Sequence, residues 1–146
     1  MINTTTFTLV SFATTAFILA GCGRSDNRAE VYGTVTANGE PVVGGSISFI
    51  PTTGTTGPSA GGEITGGTYR IAADAGPVHG QHRVRFRAHR KTGRQVEAGF
   101  PHAPGTKVDE IKQFIPPKYN RQSELIVEIV PGENQHNFEL TFSAEY

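Results

Sequence analysis

Val31-Tyr32-Gly33-Thr34-Val35-Thr36-Ala37-Asn38-Gly39-Glu40-Pro41-Val42 carries the reading of the fold. Val31, Gly33 and Val35 alternate with Tyr32, Thr34 and Thr36, the period of a strand with one buried face. Asn38-Gly39 then supplies two residues that tolerate positive φ, the strongest short-range signal for a tight β-hairpin. Ile47 and Phe49 alternate with Ser46 and Ser48, so a further strand follows. Residues 51–62 contain no large side chain and read as an exposed loop.

The pattern continues toward the C-terminus. Gly66-Gly67 separates Glu63-Ile64-Thr65 from Tyr69-Arg70-Ile71, a second tight hairpin. From Gln81 to His89, Val84, Phe86 and Ala88 take one face and Arg83, Arg85 and Arg87 the other. Leu125, Val127 and Ile129 form a later strand. Pro131-Gly132-Glu133-Asn134 reads as a turn, and Phe138, Leu140 and Phe142 as a last strand. The expected class is all-β: a single antiparallel two-sheet sandwich of about seven strands. Its expected core is Val31, Val35, Ile47, Phe49, Tyr69, Ile71, Val84, Phe86, Leu125, Val127, Ile129, Phe138, Leu140 and Phe142. Residues 90–123 hold Pro101, Pro104, Pro116 and Pro117 and lack a clear period. Thr106 and Asp109 resemble a capping box, which predicts a helical turn or two near 107–113. This excursion is expected to pack on the sandwich through Phe114, Ile115 and Tyr119.

Upstream, Leu19-Ala20-Gly21-Cys22 ends an apolar run from Phe7 and contains the only cysteine. The run is shorter than the roughly 20 apolar residues of a membrane-spanning helix and suits the apolar region of a signal peptide. Its residue order resembles the lipobox of bacterial lipoproteins. That likeness implies removal of residues 1–21, acylation of Cys22, and a polar tether over 22–30 carrying a domain over 31–146. Residues 1–21 contain no Lys or Arg, against the usual basic start of a signal peptide; the order at 19–22 is the more specific feature. The implied location is the cell envelope, with the protein lipid-anchored to a membrane and facing the periplasm or exterior.

Thirteen basic residues balance thirteen acidic ones. Neutrality removes the general electrostatic case for nucleic acid as a partner. A single cysteine excludes an intramolecular disulfide, so the fold rests on its apolar core.

The stretch Val31–Val42 is similar to the opening of carboxypeptidase regulatory-like domains. Gly44-Gly45-Ser46-Ile47-Ser48-Phe49 resembles their second strand, Gly62–Ile71 their hairpin, and Gly76–Val84 the start of a further strand. Ile115–Asn120 and the Pro131-Gly132 turn resemble segments of small bacterial lipoproteins of this type. The likeness covers residues 30–142. It implies a transthyretin-like (prealbumin-type) Greek-key sandwich that is non-catalytic and uses no cofactor. No catalytic residue is assigned. A G-x-S-x-G elbow is absent from the sequence, and its acidic residues form no pair with metal-ligand spacing.

Two groups of residues remain as candidate sites. Cys22 is the candidate lipidation site, which makes the membrane a partner. Arg83, Arg85, Arg87, Arg90, Lys91 and Arg94 form the one concentrated charge feature, a candidate anion-binding face. The plainer reading is a solvated face whose arginines pair with Glu128 or Glu139 on neighbouring strands. The leading expectation is therefore a structural or protein-interaction role with an envelope protein or polymer as partner. The alternative is an anion- or glycan-binding module using the arginine face and the 90–123 excursion. His79, His82, His89, His102 and His136 read as surface or turn residues rather than metal ligands; His82 and His89 lie roughly 23 Å apart along a strand.

Overall fold

The computed structural model describes residues 27–143. The leader, Cys22 and most of the tether lie outside the described residues. Eleven strand segments and one 3-10 turn follow in order: β1 Glu30–Ala37, β2 Glu40–Pro41, β3 Gly44–Pro51, β4 Ala60–Thr65, β5 Thr68–Ile71, β6 Gly80–Arg87, β7 His89–Glu97, β8 Lys107–Gln113, the 3-10 turn Pro117–Tyr119, β9 Ile126–Ile129, β10 Glu133–Gln135 and β11 Phe138–Leu140.

The main sheet runs β10-β1-β5-β4-β3-β6-β9, with β2 and β11 also paired to β1. Both predicted tight turns are present. Thr36 pairs with Pro41 and Ala37 with Glu40 around Asn38 (φ 52°) and Gly39 (φ 85°). Thr65 pairs with Thr68 around Gly66 (φ 57°) and Gly67 (φ 79°). Positive φ at both central positions is the turn whose twist matches its strands.

Ring contacts show that the sheet closes back on itself. Phe86 on β6 meets Phe138 on β11 edge-on, with centroids 5.1 Å apart, although these strands share no ladder. Phe49 on β3 lies 6.2 Å from Tyr69 on β5, and Tyr69 lies 6.3 Å from Phe138. The architecture is thus all-β, mainly antiparallel and sandwich-like, with its core between facing layers. Ten of the expected core residues are buried, while Leu125, Val127, Phe138 and Phe142 pack against them partly buried. Ala29, Val42, Ile64, Ala88 and Ile115 complete the cluster.

Two expectations need correction. First, β1 pairs in parallel with both β10 and β11, so the sheet is not purely antiparallel. The turn at 130–134 does not return the chain as a hairpin. It delivers it across to β1, where buried Asn134 accepts from the Val130 N–H and donates to the Val130 carbonyl, both at 2.9 Å. Second, residues 107–113 form strand β8 and not a helical turn; β8 pairs with β7 over His89↔Gln113 through Glu97↔Lys107, with an irregularity between Lys91 and Gln95. The excursion packs on the sandwich beyond residue 113. Ile115 is buried and Phe114 and Tyr119 pack on the core as expected, but every residue of β7 is exposed.

Gly33 shows what a sequence glycine is for. A methyl group there would overlap the carbonyl of His136, so the missing side chain permits the close approach of the segment joining β10 and β11.

Candidate functional site

Strand alternation places Arg83, Arg85 and Arg87 on the outward face of β6, since His82, Val84 and Phe86 are buried between them. In the ladder with β3, Arg83 is opposite Ile50, Arg85 opposite Ser48 and Arg87 opposite Ser46. One strand further, Gly61 pairs with Ser48 and Glu63 with Ser46. Three arginines in file thus have short neighbours beside Arg85 (Ser48, Gly61), Ile50 beside Arg83, and Ser46 then Glu63 beside Arg87. Among the described residues none of the three makes an ion pair. Of the carboxylates expected to neutralise them, Glu139 lies on β11 beside β1, and Glu128 is opposite Gln81. Arg85 is half-buried, and its Nε is shielded from water without a hydrogen-bond partner.

The remaining three candidate cations sit elsewhere. Arg90, Lys91 and Arg94 lie on the β7–β8 ribbon and have neighbours of their own. Lys91 Nζ is 2.7 Å from Asp109, whose carboxyl it holds below the usual carboxylate range. The Arg90 guanidinium lies 5.5 Å from the centre of the Phe114 ring. Glu110 accepts from the Thr92 hydroxyl at 2.6 Å, and the nearby Lys112 and Arg94 charges help hold its carboxyl low. Six basic residues close in sequence are therefore two groups in space.

A cavity of about 420 Å³ opens at the end of the sandwich where β1 finishes and β7 starts. Val43, His89, Arg90, Phe114 and Phe142 are among its lining residues. Val43 is 80% exposed there.

His82 departs from the sequence reading. It is fully buried on the inner face of β6, with Nδ1 3.1 Å from the Gly80 carbonyl and Nε2 without a partner. Burial lowers its pKa, against the opposing effect of the Gly80 contact. Position parity with Val84 was the available signal. Half-buried His136 is lowered for the same reason. Among the described residues, no group of three or more His, Cys, Asp or Glu is placed to hold a metal ion, and no helix is long and apolar enough to cross a membrane.

Comparison with protein-family models, curated proteins and solved structures finds no match to this chain.

Proposed function

We propose that this chain is a lipid-anchored, non-enzymatic protein of the cell envelope. Its transthyretin-like Greek-key sandwich, of the carboxypeptidase regulatory-like kind, serves a structural or protein-interaction role outside the membrane. The observation that carries this reading is Leu19-Ala20-Gly21-Cys22 closing an apolar run just ahead of the domain. One acyl chain binds a bilayer only marginally, at about 0.8 kcal/mol per buried CH₂, so durable anchoring requires more than one chain.

The start of the domain supports a close tether. Arg28 bridges to Val78, and the Ala29 N–H donates to the Pro77 carbonyl at 2.9 Å. From Cys22 to Arg28 the chain spans at most about 20 Å. The sandwich is thereby held near the membrane surface. β6 runs in the same direction as β1, so the β7–β8 ribbon that follows it leaves the sandwich at the end opposite the tether.

Feeding cells a clickable fatty acid tests the anchor. Label should appear on the wild-type chain, which should partition with membranes. The Cys22→Ser variant should be unlabelled and retain its leader. An unlabelled wild-type chain of full length in the soluble fraction would overturn the proposal.

A further inference from the structure

We propose that the outward row Arg83-Arg85-Arg87, with Ser46, Ser48 and Gly61 beside it, is a binding site for a linear polymer of polyol units joined by phosphodiesters, and not for nucleic acid. The site stands whether or not Cys22 is acylated, so failure of either idea leaves the other in place.

Spacing comes first. Alternate residues of one strand project about 6.6 Å apart on the same face. Successive phosphates joined through a short polyol lie about that far apart, so one guanidinium can meet each phosphate. Arginine suits this task because its planar fork makes two parallel hydrogen bonds to phosphate oxygens.

Charge comes second. A solvated structural face would show arginines answered by carboxylates across the ladder. Here the positions across β3 are Ile50, Ser48 and Ser46, and none of the three arginines is ion-paired among the described residues. The nearest carboxylates in register are Glu63, one strand beyond the Ser46 that faces Arg87, and Glu128, opposite Gln81 and diagonal to Arg83; neither is ion-paired to the row.

Solvation comes third. Arg85 is half-buried with a shielded, unpartnered Nε, so its head has already lost part of its hydration. An anion gains more from a partly desolvated cation than from a fully hydrated one. Beside it lie the short Ser48 side chain and Gly61, and the hydroxyls of Ser46 and Ser48 can donate to a bound phosphate.

The shape favours a chain over a bilayer. Three charges in file along one strand match a one-dimensional ligand, whereas a headgroup layer is contacted by a broad face.

Binding of the full chain, purified in non-ionic detergent, to synthetic poly(glycerol phosphate) tests this. Titration calorimetry across a tenfold range of salt should show affinity falling about 100-fold, the counterion release of about three phosphate contacts on a flexible chain. Arg83→Gln/Arg85→Gln/Arg87→Gln should weaken binding at least tenfold and flatten the salt dependence. Lys91→Gln/Arg94→Gln on the ribbon should bind as wild type. If the triple glutamine variant does not melt like wild type, Arg83→Lys/Arg85→Lys/Arg87→Lys takes its place, expected to keep the salt dependence while losing affinity. Unchanged binding by the row variant overturns the proposal, as does transfer of the loss to the ribbon variant. So does binding to phosphatidylglycerol vesicles without binding to the polymer, which would mark a headgroup surface. Equal affinity for inorganic polyphosphate, whose charges are more closely spaced, would overturn the spacing argument.

Discussion

Replacing residues 90–112 by a short glycine-containing turn should leave the sandwich as stable as before, or slightly more so. The ribbon is the least buried part of the described structure. All of β7 is exposed, and β8 has no buried residue. An isolated two-stranded hairpin is marginal in water, so its own ladder adds little to global stability. Its base is held mainly by groups that the deletion keeps. The Ala88 N–H donates to Gln113 Oε1 at 3.0 Å, and the Phe114 N–H donates to the Ala88 carbonyl at 3.0 Å. Of the contacts between the deleted ribbon and the residues kept, the Arg90–Phe114 stacking is lost, worth about 0.5–1 kcal/mol at an exposed site. Against this, shortening the connection about fivefold lowers the closure cost by about 1.4 kcal/mol. The balance lies within about 1 kcal/mol of zero. Urea unfolding of the full-length chain and its shortened form measures it, with hydrogen exchange reporting on β6 and β9. A loss above about 2 kcal/mol, or deprotection of those strands, would mean that the ribbon packs on the body, and the reasoning would fail.

The facing of β6 and β11 makes Phe86→Ala costly, about 3–5 kcal/mol from the cavity and the lost ring contact, measurable as a large drop in the urea midpoint; a loss under 1 kcal/mol would contradict the layered core. Gly33→Ala should cost about 1–3 kcal/mol or more through its overlap with the His136 carbonyl, while Gly44→Ala, with open space around it, should stay within about 0.5 kcal/mol; equal effects in thermal melts would refute the close approach. The depressed pKa of buried His82 means that the unfolded chain takes up a proton before the folded one, so stability is full above about pH 6.5 and declines as pH falls through that value. The decline is at most about 1.4 kcal/mol per pH unit for this group, and His136 adds in the same direction. His82→Leu should reduce the slope of stability between pH 6.5 and 5, and an unchanged slope would refute the assignment.

Strand positions, the tight turns at Asn38-Gly39 and Gly66-Gly67 and most of the buried face were legible in the sequence, because period-two alternation and positive-φ turn residues act over a few neighbours. The ribbon was not. With water on both faces of β7, nothing enforces an apolar period, and charges fall at consecutive positions such as Arg90-Lys91. His82 obeys the alternation of β6, but its residue type hid its burial. The outward parity of Arg83, Arg85 and Arg87 was readable, whereas their lack of carboxylate partners depended on which strands lie beside β6. That is a long-range matter, as is the parallel docking of β10 and β11 on β1, fastened by contacts such as Asn134 Nδ2 to the Glu30 carbonyl and the Phe142 N–H to Asn38 Oδ1. Local periodicity specifies which side of a strand meets water, but not which strand lies next to it or in which direction that neighbour runs. Those are chosen by the packing of the whole core, where Phe86 meets Phe138 and the bare backbone at Gly33 lets the returning chain come close.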